Sequence, residues 1–513
     1  PKGHRETNYV LLGIGFLILF IAGINFTNLT TSLIPLRLKT INTHRVLGCS
    51  IYKLQAISLI ESIVICLISY ILALFIVNDL SYTPIANWVD ADIRLSQYKG
   101  LILLTALIAI LTGCLAGLYP AIRSTSYAPA LELKGSFGLS PKGKKVRVAL
   151  IGFQYTVSIA LIIVTLFMGL QNHFMTSSEQ LGFNKDQVAI VNLTPEIYAK
   201  HKPQYIQKLK DYPGIEDVAF SVYELSKEDD MIDLEYARHE DKDVFFKVFY
   251  ASENFLSVMD IQVEEGRDFT REDLNKAQSD YIINPAAERD FHLHPGDRFN
   301  DRTVLGVSKD FRFNSCRIAS SPFVFALNND IPNPKLVSYI RFNSKTNLQE
   351  AVAHVRETLK EIDPTFPFEI SFYNTILNNL YQKEQTLGKL ISLFGIMAIL
   401  ISIVGVFGLV LFETQYRRKE IGIRKINGAT TGQILLMFNK TYIRIVSVCF
   451  IISIPIAWMG TQQWLENFAY KTPLHLWVFI VAFLIILSVT IGTVTFRNWQ
   501  AANENPVNSV KSE

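Results

Sequence analysis

Charged residues are scarce in this chain: 19% of its 513 residues, where soluble domains carry about 25%. That deficit disfavours a wholly water-exposed architecture. Cysteine is scarcer. Of the five, at positions 49, 66, 114, 316 and 449, three fall in long apolar runs and Cys49 in a basic loop. Cys316 therefore has no cysteine to pair with in its own region, which excludes an intrachain disulfide framework there. The cysteines read as small apolar residues filling packing gaps. Acidic side chains are almost missing from the apolar runs; Glu61, near the start of the second, is the exception. It reads as a structural group, capping or pairing with a loop Lys or Arg. A proton- or ion-coupled carrier needs acids near mid-membrane, so their scarcity counts against that class.

Catalytic patterns are missing as well. Gly138, Gly143 and Lys144 have the spacing of a phosphate loop, but Lys145 stands where Ser or Thr must meet magnesium, and no strand precedes. The segment reads as a flexible basic linker, and the chain is not expected to hydrolyse ATP. His292 and His294 have no Cys partner and no third ligand nearby in the sequence. The acidic run Glu228-Asp229-Asp230 lacks EF-hand spacing. No Ser/His/Asp or Cys/His arrangement stands out. No catalytic residue, metal site or cofactor is assigned, and no nucleic-acid partner is expected.

What the chain does contain is apolar length. Mean hydropathy is +0.23, and seven runs reach the roughly 20 residues needed to cross a bilayer: 9–33, 55–77, 100–122, 147–170, 388–412, 440–461 and 475–497. The chain reads as a polytopic α-helical membrane protein. Lys and Arg concentrate in alternate loops, among them Arg37, Lys39, Arg45 and Lys53, then Arg123, Lys134 and Lys142, then Arg417, Arg424 and Lys425. Basic short loops stay in the cytoplasm, so the large block 171–387 is expected outside. Its alternating apolar runs at 188–191, 245–249 and 336–340 predict strands. Leu348–Ile362 has helical spacing and ends at Asp363-Pro364. Block 171–387 is thus an inserted α+β domain, long enough to bury its own core.

The chain also repeats itself. RLKTINTHRVLGCS at 37–50 aligns with RRKEIGIRKINGAT at 417–430, an offset of 380 that pairs Arg37 with Arg417, Lys39 with Lys419, Arg45 with Lys425 and Gly48 with Gly428. Pro-Ala-Leu-Glu-Leu-Lys at 129–134 faces Pro-Val-Asn-Ser-Val-Lys at 506–511, an offset of 377. Residues 9–134 and 389–511 are therefore two copies of one three-helix unit in pseudo-twofold repeat. The second copy is preceded by a helix and an outer domain, and the chain begins Pro-Lys-Gly without Met. A longer eight-span protein whose first span and first outer domain precede this stretch is expected. Each basic loop is longer than a hairpin needs. Ile421, Ile423 and Ile426 alternate with charge in the second, which predicts a short amphipathic helix at the membrane surface.

The segment Arg418-Lys419-Glu420-Ile421-Gly422-Ile423-Arg424-Lys425-Ile426-Asn427-Gly428-Ala429 resembles the signature of FtsX-like, MacB-type ABC transporter permeases. Flanking matches are Gly266-Arg267-Asp268-Phe269-Thr270, Val307-Ser308-Lys309-Asp310-Phe311, Tyr119-Pro120-Ala121, Leu133-Lys134-Gly135 and Asn505-Pro506-Val507. The resemblance divides the chain into a first FtsX-like unit (1–135), a basic cytoplasmic linker (136–146), a fourth span (147–170), a MacB-like periplasmic core domain (171–387) and a second FtsX-like unit (388–513). It implies a non-catalytic permease subunit in the bacterial inner membrane, surrounded by lipid and served by two copies of a separate cytoplasmic ABC ATPase. ATP-driven motion would pass by mechanotransmission to the periplasmic domain, for efflux or export, with a periplasmic adaptor or substrate protein as further partner. A non-transporting regulator of a cell-wall enzyme and a lipoprotein-extraction permease share the same parts and stay open. By matching position, Arg418, Lys419, Glu420, Gly422, Arg424, Lys425 and Gly428 would dock the ATPase. The first copy departs from the signature: Thr40 replaces the Glu, Asn42 the first Gly and Thr43-His44 the Ile-Arg. Only Arg45, Leu47 and Gly48 keep its outline, with Lys39, Arg45 and Gly48 as its docking residues, so unequal grips are expected, the second dominant.

Overall fold

Among the residues described by the computed structural model, seven helices are long and apolar enough to cross a membrane. The described residues are 2–83, 86, 95–126, 141–177, 181–226, 233–276, 278–312, 315–327 and 336–503. The repeat tails at 129–135 and 505–511, the acidic run at 228–230 and the start of the phosphate-loop-like segment lie outside them. In chain order, helices α1 (Lys2–Val46), α2 (Ile51–Leu80), α3 (Lys99–Thr125) and α4 (Pro141–Thr176) come first. Then follow β1 (Val188–Leu193), α5 (Lys202–Lys210), β2 (Ile215–Ser221), β3 (Asp233–His239), β4 (Lys242–Ala251) and α6 (Phe255–Met259). Next are β5 (Val263–Gly266), β6 (Tyr281–Ile283), α7 (Pro285–Phe291), β7 (Arg298–Phe299), β8 (Arg302–Ser308) and β9 (Phe323–Leu327). After β10 (Leu336–Phe342), α8 (Leu348–Ile362), β11 (Ile370–Phe372) and α9 (Tyr373–Leu380), the chain returns to long helices. These are α10 (Gln382–Tyr416), the short α11 (Arg418–Ile426), α12 (Thr431–Leu465) and α13 (Leu476–Ala502). The chain divides into two units: 1–169, 386–463 and 474–513 form the first, and 170–385 with 464–473 the second.

Helices suit a lipid surround because they satisfy most backbone polar groups internally. Between helices, small residues and isolated hydrogen bonds replace the hydrophobic drive that lipid removes. On α3, Gly113 and Gly117 face Ser62, Ile63 and Cys66 of α2. A Cβ on Gly117 would stand 2.5 Å from that of Ser62, so only glycine permits this approach. Tyr70 of α2 donates to the Ile102 carbonyl of α3 at 2.7 Å, and Thr27 of α1 donates to the Ala116 carbonyl at 2.8 Å. The corresponding pair in the second copy, α12 and α13, is spaced by aromatic rings instead: Phe450–Phe483 at 4.7 Å and Trp458–Phe479 at 6.2 Å.

The second unit is built on a sheet in the order β11-β1-β10-β2-β4-β9-β6-β8-β5, with β3 added to β4 and β7 to β8. Its central strands are apolar on both faces because helices cover both. Along β1, Val188 and Ile190 enter one core while Ala189, Val191 and Leu193 enter another, the alternation that a period of two imposes. The second core receives Ala351, Val355 and Leu359 of α8. That helix is capped by Asn347, whose side chain accepts from the Gln349 amide, and it spans Leu348–Ile362 as its spacing predicts.

Two motifs of the outer domain prove to be structural. In Gly266-Arg267-Asp268-Phe269-Thr270, Arg267 forks onto both oxygens of buried Asp273 at 2.7 and 2.8 Å. The Thr270 amide and hydroxyl bind the same carboxylate at 2.9 and 2.8 Å. These bonds to the charged form, led by Arg267, hold the Asp273 carboxyl well below the usual carboxylate range. In Val307-Ser308-Lys309-Asp310-Phe311, the Phe311 ring packs on Phe323 and Phe325 at 5.4 and 5.2 Å.

Candidate coupling site

The two basic segments share one backbone device. Gly48 and Gly428 stand at φ +89° and +88°, a left-handed conformation that glycine adopts without a Cβ penalty. Each closes its helix in the same way. The Cys49 amide reaches the His44 carbonyl at 2.9 Å and the Ala429 amide the Arg424 carbonyl at 3.0 Å; Gly48 reaches Arg45, and Gly428 reaches Lys425, both at 3.0 Å. This is the Schellman pattern of a helix C-terminus. Two residues later, Ser50 accepts from the Lys53 amide at 3.3 Å and Thr430 from the Gln433 amide at 3.4 Å, opening α2 and α12. The 380-residue offset therefore recurs in hydrogen bonds and dihedral angles as well as in letters.

Their flanks differ. In the second copy α10 ends at Tyr416 and the separate α11 begins at Arg418, matching the short helix that the sequence predicts. In the first copy no separate helix forms, because α1 runs unbroken to Val46. Arg417 sits at the break. Its guanidinium pairs back to Glu413 at 3.0 Å and forward to Glu420 at 3.9 Å, and Glu413 also accepts from the Tyr442 hydroxyl at 3.2 Å. Motif reading passed over Glu413 and Tyr442, which lie on either side of the signature. Within α11, Arg424 donates to Glu420 through two nitrogens at 2.8 and 3.1 Å. Gly422 is buried and Gly428 exposed, with Lys425 half-buried between them, while Ile423 and Ile426 are 55% and 65% exposed. The structure describes only the backbone at Lys39, Arg418 and Lys419.

Arg45 turns inward instead, donating to the Thr125 carbonyl at the end of α3 at 3.3 Å, where a cation also meets the negative pole of that helix. Arg37 pairs with Glu61 at 2.7 Å, the partner type expected for that acid. Exposed side chains of the first copy mix apolar and polar types: Val46, Leu47 and Tyr52 are 78%, 77% and 83% exposed, beside exposed Thr40, Thr43, His44 and Lys53.

From the second turn the chain continues through α12 to Leu465, with Pro455 inside the helix. The loop that follows, 464–473, belongs to the outer unit and is held there by a set of directional bonds. Buried Gln171, on the last turns of α4, donates to the Tyr470 carbonyl at 3.0 Å and accepts from the Thr472 amide at 2.8 Å. The Tyr470 amide donates to the Cys316 carbonyl at 3.1 Å, and its hydroxyl accepts from the Ser320 amide at 3.1 Å. Arg312 lies 4.0 Å over the Tyr470 ring. Met175, Cys316, Tyr381 and Phe468 form the apolar centre of this knot, and burial pushes the Cys316 thiol up from its ordinary value. No sequence signal marks it, since its members come from four separated stretches.

Residues 12–129 and 392–506 each match the model of the FtsX-like permease C-terminal domain, with starts 380 and ends 377 residues apart. The chain thus carries two matches to one FtsX-like permease family model, one on each copy of the repeated three-helix unit. It is 25% identical over 212 residues to a macrolide export ATP-binding/permease protein MacB of Aggregatibacter actinomycetemcomitans, covering 39% of this chain and 32% of that protein. It is likewise 25% identical over 223 residues to the MacB of Neisseria gonorrhoeae, covering 41% and 34%. The chain thus spans about a third of the length of these relatives. The chain is similar to the periplasmic region of MacB from Actinobacillus actinomycetemcomitans (15% identity, TM-score 0.29, 39% of this chain and 94% of that one). It is also similar to the extracellular domain of the transporter YknZ (15%, 0.27, 36% and 99%). With seven membrane-length apolar helices and an inserted α/β domain, the protein is a multi-pass membrane protein.

Proposed function

We propose that this protein is the non-catalytic permease subunit of an ABC system in the bacterial inner membrane. In this reading two copies of a separate cytoplasmic ATPase dock on the glycine-capped turns, and hydrolysis moves the extracytoplasmic domain by mechanotransmission, for export. The observation that supports it most is the pair of identically capped turns, each ending one long helix and opening the next. Glu420, Arg424 and Lys425 supply charge for docking and Ile423 and Ile426 supply apolar surface, with Gly422 and Gly428 fixing the backbone. Arg418 and Lys419 add charge by position. Lys39, Arg45 and Gly48 form the weaker counterpart. Helix α12 joins the strong turn covalently to the hydrogen-bonded loop 464–473 and would carry the motion along the chain. A regulator of a wall enzyme and a lipoprotein-extracting permease use the same path and differ in what the outer domain touches.

Two measurements test this. Affinity purification from native membranes should recover an ABC ATPase with the wild type; its absence overturns the reading. Crosslinking through the outer domain, followed by mass spectrometry, separates the outputs. A wall hydrolase indicates regulation, a lipoprotein extraction, and a peptide or outer-membrane adaptor export.

A further inference from the structure

The outer domain carries a cluster that the sequence does not announce. Ligand atoms of Glu265, Glu288 and His294 all lie within 4.8 Å of one another. The three come from different elements: the edge strand β5, helix α7, and the turn after it. Each backbone is fixed independently. Glu265 sits at a bulge in the β5–β8 ladder, opposite Val307, and a bulge re-aims the side chain it carries. The following Gly266 has φ +78° and lies so close to Leu305 that a Cβ would fall 2.2 Å from its carbonyl. Glu288 is set by α7, whose cap Asn284 accepts from the Ala287 amide at 2.9 Å and from the Phe323 amide at 3.0 Å. His294 follows the left-handed residue His292 (φ +54°) that ends α7. Its amide donates to Asp297 Oδ2 at 2.8 Å, and the turn is tied to β8 by Gly296 to Val304 at 2.8 Å and Val304 to Asp297 at 2.9 Å.

The charges are unbalanced. Among the described residues neither Glu265 nor Glu288 has a lysine or arginine nitrogen within 4.0 Å, while His294 Nδ1 lies 3.6 Å from Glu288. Two carboxylates held this close repel unless a positive charge lies between them. Two carboxylate oxygens and one imidazole nitrogen suit a borderline divalent ion such as Zn2+, with bonds of about 2.0–2.2 Å. Bonds of that length place ligands about 3.3 Å apart, closer than the 4.8 Å that bounds this set, so the three side chains would rotate inward to hold an ion.

We propose that Glu265, Glu288 and His294 form a divalent-metal site on the outer domain, with Zn2+ as the fitting ion and at least one coordination position open outward. The ion would clamp edge strand β5 to α7 and the 292–297 turn, and its open position could accept a carboxylate or imidazole from another molecule. His292 is not a member of the set.

Tag-free full-length protein in detergent, stripped with chelator, is titrated with Zn2+ by calorimetry, and Co2+ is added in parallel as a spectroscopic probe of ligand number. One equivalent should bind to the wild type and raise its melting temperature. His294→Ala and the Glu265→Gln/Glu288→Gln double variant should bind about 100-fold more weakly, and His292→Ala should match the wild type. Metal-free melting of each variant reports folding separately. Equal Zn2+ affinity in wild type and His294→Ala, or no binding by the wild type, overturns the site.

Discussion

The two copies of the three-helix unit keep the same turn and differ in nearly everything around it. Gly48 and Gly428 share capping bonds to within 0.1 Å, yet the first copy exposes Val46, Leu47 and Tyr52 among Thr40, His44 and Lys53 and the second a Glu420–Arg424 pair flanked by isoleucines. Behind them, α2 and α3 meet through glycine and serine, whereas aromatic rings separate α12 and α13. A backbone turn can outlast divergence of its side chains because its constraint is local: one residue must adopt positive φ. Surface chemistry and interhelical spacing have no such anchor.

The strongest way to break the comparison is to give the first copy the second copy's residue. Val494 occupies the position of Gly117, 377 residues on, and is fully buried. Gly117→Val should force α2 and α3 apart and cost about 3 kcal/mol, read as a large drop in melting temperature, while Val494→Gly should leave α12 and α13 associated through their rings. Because Val494→Gly also loses a buried side chain, crosslinking across each helix pair is the deciding readout, and loss of both contacts would show that both pairs depend on close approach.

The outer domain supplies a reference outside both copies. Asp273→Asn should cost about 2 kcal/mol by chemical denaturation. Because the folded pKa of Asp273 is depressed, its contribution is full above the unfolded value of about 3.9 and is lost as pH falls towards the folded value. The wild-type advantage over Asp273→Asn should therefore shrink only in acid; an advantage that grows there contradicts the assignment.

Docking sharpens the contrast further. Exchanging Glu420→Arg with Arg424→Glu keeps the ion pair within α11 but reverses the field it presents, so ATPase recovery should fall at least tenfold, about 1.4 kcal/mol or more, with folding intact. Thr40→Ala, at the matching exposed position, should change recovery little. Equal losses from the two turns would remove the asymmetry. By contrast, Gly48→Ala and Gly428→Ala should each cost about 1 kcal/mol and by similar amounts, since the strained angle is the same; melting temperatures of the two variants decide it. The smallest effect belongs to Glu61→Gln, whose pair with Arg37 is nearly half exposed on both sides and should be worth no more than about 0.5 kcal/mol.

Much of this was readable in the chain. Seven apolar runs announced seven helices because a bilayer demands length and apolarity together. The repeat announced the shared turn, and Asn347 with Asp363-Pro364 bracketed α8. The Arg417 hinge was harder to see: Arg417 and Glu413 are four residues apart, a spacing common to many helical surfaces. The first basic segment also misled, since the interruption expected from its partner is absent and α1 continues through it.

By itself, then, the sequence determined the spans, their duplication and the capped turns, all of which rest on local chemistry: hydrophobic length, or a glycine at positive φ. Only the tertiary structure decided that Gln171, Arg312, Cys316 and Tyr470 form one knot, and that His294 meets Glu288 and, from a strand 29 residues earlier in the chain, Glu265. Those groups have no periodicity or spacing of their own. They converge because a β-bulge, a helix cap and a left-handed turn each aim one side chain, and the sheet sets where the three aims cross.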